Sequence, residues 1–496
     1  MVLALGVLVI VLTVWAVYHR IEVRLAMIVS ALALATIAGN PMAVVRTFLA
    51  TFSNERFVVP ICTAMGFAFV LRYTGCDQHL VHLLMKPVQR VRLLLVPGTV
   101  AVGFLVNIPV VSQTSTAVTL GAVVIPILLA AGLSRVTVAA ALLLGASIGG
   151  ELLNPGAPEL RTIVEESDKA AKKLGKPSPG LTGAGCVAHI LPLDLLGLAV
   201  TIGVFWFVCA RAERKSPRRE QEAAPPPETP APAFRVNLLM AMVPIVPLFL
   251  LFLTSPPLKV VTVPPHWLVD LPRKAERECL SILAVAPQGG LPAAVPWHGV
   301  YLNAPPTLGG SERGLYDSRL VGSAMIIGVL VAGLIVWRKG LGVTGAFFEG
   351  AGYGFTHIIS LIVAANCFGA GIEAIGLATV VGGLIRDVPW LLLPAAGILS
   401  LGFAVLCGSG MATTQSLFKF FAEPALELGI DPATVGAVVS LAAAGGRTIS
   451  PVSAVGLMCA AMADANPLLM VRRLLLPVLA GLAAVVLGAI FMAMSG

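Results

Sequence analysis

Long apolar runs separated by short polar stretches occupy almost the whole chain. A helix needs about 20 apolar residues to cross a bilayer. Runs of that kind predict spans at roughly 2–18, 23–39, 57–73, 135–155 and 183–209, then at 237–254, 320–337, 354–372, 433–452 and 472–494. Two further stretches, about 93–131 and 389–427, are too long for one crossing and turn polar near their middles. A re-entrant helical hairpin satisfies both constraints, because irregular backbone at membrane depth is tolerated where protein buries it or it lines a cavity.

The polar interruptions share a register. Gly149-Gly150-Glu151-Leu152-Leu153-Asn154-Pro155 matches Gly445-Gly446-Arg447-Thr448-Ile449-Ser450-Pro451 at a constant offset (445 − 149 = 451 − 155 = 296). Gly103-Phe104-Leu105-Val106 is echoed by Gly402-Phe403-Ala404-Val405, and Pro126 before Gly132 by Pro424 before Gly429. An ordered series of echoes predicts two structural repeats. Paired broken helices at corresponding places in two halves are the best sequence pointer to a secondary transporter's binding site.

Composition narrows the class. The chain is 57% hydrophobic and 12% charged, with mean hydropathy +0.93, against about 25% charged for a soluble domain. The net charge of +8 does not call for nucleic acid, since Lys and Arg bias cytoplasmic loops of membrane proteins. Arg20, Arg24, Arg72, Lys86, Arg90, Arg92, Arg211, Arg214, Lys215, Arg218, Arg219, Arg338, Lys339, Arg472 and Arg473 fall on one side of the predicted spans. That side is read as cytoplasmic. The N-terminus is then outside, and the two halves run in opposite senses. Against the rule, the predicted external loop 160–182 carries Lys169, Lys172, Lys173 and Lys176. Residues 211–236 read as a Pro-rich cytoplasmic linker and 255–319 as an external insertion with little regular structure. The eight cysteines show no metal or redox spacing.

Candidate chemistry concentrates at the two hairpin tips and the two breaks. Ser112, Gln113, Thr114, Ser115 and Thr116 at one tip, and Ser409, Thr413, Thr414 and Gln415 at the other, are neutral donors and acceptors. Such groups bind a carboxylate without a fixed charge being buried in the membrane. Helix N-termini just past each tip add an anion-binding end. The freed carbonyls and hydroxyls could instead hold Na⁺. The bland reading is that the hydroxyls bond back to their own helices. At the breaks, Gly149, Gly150, Gly445 and Gly446 free the backbone, Glu151 and Arg447 occupy equivalent positions, and Thr448, Asn154 and Ser450 lie beside them. Two readings of the charged residues compete, beside a third in which one or both point to an aqueous vestibule. In one, Arg447 grips a substrate carboxylate while Glu151 carries a coupling proton or helps a cation site. In the other, the two pair with each other. Asn154 and Ser450 are ligands or helix-end caps. Asn107, His357, Asn366 and Glu373 are weaker candidates.

The stretch 112–116 together with Leu144-Gly145-Ala146-Ser147-Ile148-Gly149-Gly150-Glu151-Leu152-Leu153-Asn154-Pro155-Gly156-Ala157-Pro158-Glu159 resembles the anaerobic C4-dicarboxylate carriers of the DcuC type, in the ion-transporter superfamily. The segment 445–451 resembles the matching part of the second half. The likeness is densest at 103–160 and 402–458, outside the linker and the insertion. It implies an inverted repeat with two re-entrant hairpins, an elevator movement, a homodimer and a bacterial inner membrane. The implied cargo is succinate, fumarate or malate. Superfamily relatives carry Ser-Asn-Thr at both tips, whereas this chain has Ser112-Gln113-Thr114 and Ala412-Thr413-Thr414.

The expectation is therefore an all-α polytopic carrier of about ten spans plus two hairpins, moving small organic anions by export, exchange or ion-coupled uptake. No enzyme activity, resident metal or cofactor is expected beyond a coupling Na⁺ or H⁺. The partners are a small dicarboxylate, the lipid bilayer and a second copy of the chain, with no nucleic acid. The competing expectations are a carrier of another carboxylate or anion, an intramembrane enzyme, or a membrane scaffold or sensor.

Overall fold

A computed structural model describes residues 2–19, 21–89, 91, 94–215, 234–254, 260–269, 296–297, 300–301, 310–377, 380, 383 and 388–495. Its helices are α1 (Val2–Tyr18), α2 (Val23–Ile37), α3 (Met42–Phe52), α4 (Glu55–Thr74), α5 (Cys76–Val88), α6 (Leu95–Asn107), α7 (Gln113–Ala130), α8 (Arg135–Ser147), α9 (Pro158–Lys173) and α10 (Gly183–Lys215). They continue as α11 (Leu238–Met242), α12 (Val246–Thr254), α13 (Gly310–Ile335), α14 (Gly340–Tyr353), α15 (Ser360–Ala374), α16 (Leu392–Cys407), α17 (Gly410–Glu427), α18 (Pro432–Thr448), α19 (Ala454–Met462) and α20 (Pro467–Ser495). Among the described residues, eight helical segments are long and apolar enough to cross a membrane, beside several shorter apolar helices. The strands present are a two-residue antiparallel pair, Pro296–Trp297 with Val300–Tyr301.

Local signals set the helix starts around the breaks. Ser134 caps α8, and Asp431 caps α18 with Pro432 in the first turn. A capping oxygen satisfies one orphan N–H, and proline's fixed φ suits the first turn. From Thr137 to Ser147 of α8, and from Pro432 to Thr448 of α18, every residue is buried. A helix apolar all round belongs at the centre of its packing partners. α6 and α7 pack on α8 just as α16 and α17 pack on α18. One large apolar cluster joins α4–α8 to α13 and α20, a second joins α9 and α10 to α16–α18, and a third joins α2, α3 and α4 to 359–375.

Several expectations need correction. The predicted external loop at 160–182 is largely helix α9, which sets Pro158 in its first turn and buries Leu160 and Ile163. Short helices α3, α5 and α19 fill stretches read as connections or parts of longer spans. The span predicted at 354–372 begins earlier, at Gly340, and passes through a π-helical turn at Gly354–Ile359. The insertion predicted to end at 319 already becomes helical at Gly310, where Arg319 pairs with Glu55 at 2.6 Å and the Tyr316 hydroxyl donates to the Val263 carbonyl at 2.6 Å. The linker reading at 211–236 falls mainly on 216–233, and the insertion reading mainly on 255–259, 270–295, 298–299 and 302–309, all outside the described residues. The positions of Arg20, Arg90, Arg92, Arg218 and Arg219 also lie outside them.

Candidate functional site

The glycine pairs have a steric purpose. A Cβ on Gly150 would collide with the carbonyl oxygen of Phe104 in α6, and one on Gly446 with that of Leu401 in α16. Each break therefore lets its helix lie directly on the backbone of the preceding hairpin arm. Gly149 also adopts φ +124°, a conformation that L side chains rarely take. Gly445, by contrast, is a packing position against Val478 of α20.

The next tie is repeated as well. Asn154 donates to the Ile108 carbonyl at 2.9 Å, and Ser450 to the Val405 carbonyl at 2.7 Å. Their side-chain oxygens accept from Gly156 N and Val452 N two residues on. Both are thus clips between hairpin and broken helix. At the tips, Ser112 accepts from Ser115 N and Ser409 from Ala412 N, each at 3.3 Å, capping α7 and α17. The tip carbonyl of Ala404 is capped through Gly408 at φ +70°.

Between the tips lies a cavity of about 320 Å³. Ser112, Gln113 and Thr114 line it from the first tip, Gly408, Ser409 and Met411 from the second, and Arg447, Ser453, Tyr353 and His357 from around them. The starts of α7 and α17 thus face one space, and a helix start presents unpaired N–H groups and a positive dipole end. A second cavity, of about 610 Å³, shares His357, Leu361, Cys407, Ser409, Val452 and Ala454 with it and reaches Glu22 and Arg24.

Glu151 and Arg447 form an ion pair at 2.6 Å, with both side chains almost wholly buried. Glu151 also accepts from Gln113 Nε2 at 3.0 Å and from Asn107 Nδ2, so both of its oxygens are engaged. Thr116 steadies Asn107 through its Oδ1 at 3.2 Å. Arg447 Nη2 donates a second bond, at 2.6 Å, to the Ser147 carbonyl, while its Nε has no partner among the described residues. Across the centre, the hydroxyls of Ser147 and Thr448 lie 2.7 Å apart. The pairing reading of Glu151 and Arg447 therefore describes this conformation, while the Arg447 side chain also lines the cavity.

Not every candidate reaches that space. Glu151, Asn154, Thr448 and Ser450 are tied behind the cavity wall. Thr413 turns back onto the Ser409 carbonyl at 2.8 Å, and Thr448 also donates to Ala444 O at 2.8 Å. Ser115, Thr414 and Gln415 are buried and away from the cavity lining, and the Ser115 and Thr414 hydroxyls and both polar atoms of the Gln415 amide lack partners among the described residues. Asn366 and Glu373 line a separate polar cavity of about 400 Å³ with Lys419. His357 bonds within its own helix, to Thr356 and to the Tyr353 carbonyl, and stacks on Tyr353 at 4.1 Å. Asn107, ranked low from sequence, is a direct partner of Glu151. Its position next to a hairpin tip was the available signal. Ser147, Tyr353 and Ser453 carried none.

These features define a polytopic helical membrane protein with a polar cavity between its two hairpin tips. The family model of the C4-dicarboxylate anaerobic carrier, DcuC, matches residues 56–494, and the chain belongs to that family. It is 34% identical over 128 residues to a transporter of Haemophilus influenzae, a match covering 26% of this chain and 88% of that one. With the anaerobic C4-dicarboxylate transporter DcuC of Escherichia coli K12 it shares 30% identity over 175 residues, 33% of this chain and only 37% of that one. The fold is similar to that of the YdaH transporter of Alcanivorax borkumensis, with TM-score 0.56 and 15% identity over 90% of this chain and 88% of that one. It is also similar to MtrF of Neisseria gonorrhoeae, with TM-score 0.53 and 15% identity over 90% and 83% of the two chains.

Proposed function

We propose that this carrier moves C4-dicarboxylates such as succinate, fumarate or malate across a bacterial inner membrane. The observation that carries the reading is the meeting of two capped helix starts, one from each hairpin, with the Arg447 side chain at a single cavity. A substrate with a carboxylate at each end suits two positive helix ends facing one another, and Arg447 adds a planar fork for one of them. The cavity, about 320 Å³, is of the size that holds a small ligand. Family membership supports the same substrate class.

The matched ties at 104/150 and 401/446, and at 108/154 and 405/450, support two repeats, each made of a hairpin and a broken helix. The Lys/Arg distribution supports their inverted orientation. In this reading α6–α8 and α16–α19 form a body that moves against α1–α4, α14 and α15, and two copies of the chain assemble through the static part. Counterflow of labelled succinate in proteoliposomes tests the substrate. Saturable exchange inhibited by fumarate and malate is expected. A correctly folded protein with no dicarboxylate flux overturns it.

A further inference from the structure

The ion pair behind the cavity has company that the transport reading does not use. Glu159, at the start of α9, and Asp194, in α10, are each 2% exposed. Glu159 Oε2 and Asp194 Oδ2 are buried without a hydrogen-bond partner among the described residues. Glu159 feels the charges of Glu151 and Arg447, and Asp194 that of Glu151. The Asp194 carboxyl also points at the Gly149 backbone, its Oδ1 lying 3.5 Å from where a Cβ would stand. Two further buried carboxyls therefore lie within electrostatic reach of the Glu151–Arg447 pair, Glu159 of both partners and Asp194 of Glu151.

Their hydrogen bonds distinguish them. Glu151 collects donors from Arg447, Asn107 and Gln113, the pattern of an ionised, acceptor-only group. Glu159 and Asp194 collect none from these side chains. Two more ionised carboxylates here would leave buried charge uncompensated, and such groups neutralise instead. The start of α9 offers Glu159 a weaker, opposing pull toward the anion. Among the described residues no group of three His, Cys, Asp or Glu is placed to hold a metal ion, and a proton neutralises each carboxyl without needing further ligands.

We propose that Glu159 and Asp194 form a proton-binding site beside the Glu151–Arg447 pair, whose occupancy keeps buried negative charge away from a substrate carboxylate held at Arg447. Each carboxyl that ionises releases one proton to water and adds negative charge beside the Glu151–Arg447 pair, which disfavours a second anion at Arg447. Proton and dicarboxylate therefore bind cooperatively, and by linkage each raises the affinity of the other. The inference rests on the proposed dicarboxylate site for its coupling, but the proton site itself does not. Of the other charged groups on the packed elements, Lys169 pairs with Glu165 and Glu166, Arg473 faces Glu213, Lys419 lines the separate polar cavity with Glu165, Glu166 and Lys169, and Glu427 stands at the end of α17. Arg161 donates to the Asp317 carbonyl, His189 faces Asp431 at 3.5 Å on a half-exposed surface, Lys173 holds Glu423, and Cys186 is buried on α10. His357 faces the cavity from the opposite wall and is the group to control for.

Two measurements on the purified full chain test this. Infrared difference spectra should show buried protonated carboxyl bands at neutral pH, one lost in Glu159→Gln and another in Asp194→Asn. Absence of both bands from the wild type overturns the proton site. Succinate affinity is then followed by calorimetry above about pH 7, where a free carboxylate is already ionised. Affinity should fall with rising pH, by up to about tenfold per unit for each linked proton. The slope should flatten in each amide variant and vanish in the double variant, while His357→Gln keeps it. An unchanged slope in both amide variants, or its loss in His357→Gln alone, overturns the coupling. Should the double variant not fold, the single variants carry the same reading, because an amide mimics the protonated acid in shape. If wild type binds no C4-dicarboxylate at any pH, the substrate reading fails and the infrared bands alone decide the proton site.

Discussion

The first broken helix and the second are built alike and charged oppositely. Both set a glycine on a hairpin-arm carbonyl, at Gly150 on Phe104 and Gly446 on Leu401. Both clip that arm with a short polar side chain, Asn154 or Ser450. Both follow a hairpin whose second arm starts at a serine cap. Only then do they part. The first presents Glu151, held by Asn107 and Gln113, while the second presents Arg447, held by a carbonyl and by Glu151 itself. Backbone architecture is thus duplicated, and chemical polarity is assigned by one residue in each copy.

The largest test of that comparison removes one charge. Arg447→Ala leaves Glu151 as a buried, uncompensated carboxylate, and breaking a buried pair costs about 3–5 kcal/mol. Thermal unfolding in detergent should drop sharply and succinate exchange should vanish. Unchanged exchange would remove Arg447 from the binding role. The neutral double variant Glu151→Gln with Arg447→Gln should recover most of the lost stability and none of the transport, which separates the structural share of the pair from the functional one.

A smaller effect tests the shared architecture. Gly150→Ala and Gly446→Ala each force a methyl group onto a carbonyl, and overpacking of this kind costs about 1–3 kcal/mol. The two losses, read as shifts in unfolding midpoint, should be comparable. If one variant is silent, the repeats do not pack alike. Smaller again, Asn154→Ala and Ser450→Ala each lose a clip and strand a carbonyl, at about 1 kcal/mol. Smallest are the caps. Ser112→Ala and Ser409→Ala should cost up to about 1 kcal/mol apiece, and because both residues line the cavity, each should raise the succinate KM more than it lowers the melting temperature.

Much of this was legible in the chain because it is local. Gly-Gly followed five residues later by Pro marks a helix break wherever the helix packs, and Ser before a polar turn marks a cap. The amphipathic run 158–173 reads as an external loop along the sequence because its charges, Glu165, Glu166, Lys169 and Lys173, have the composition of a solvated stretch. They form one polar edge, on which Glu165 is itself buried, while Leu160, Ile163 and Ala171 make the apolar one. Among the hydroxyls, those that serve the cavity and those that bond backwards have the same composition. Which is which follows from the 100° turn per residue about α7 and α17, set by where each hairpin lies. Thr114 faces the cavity, whereas Thr413 returns to Ser409.

The sequence by itself determined a membrane-embedded helical chain, two matched breaks, and an acid and a base at equivalent places. Hydropathy, turn chemistry and register are properties of neighbouring residues, so they can be read along a line. Only the tertiary structure decided that Glu151 meets Arg447 across 296 positions of chain, that Asn107 and Gln113 hold that carboxylate, and that Glu159 and Asp194 each bury a carboxyl oxygen without a partner among the described residues. Such encounters depend on how separate helices pack in space, and a local pattern carries no information about which distant side chain will share a buried volume.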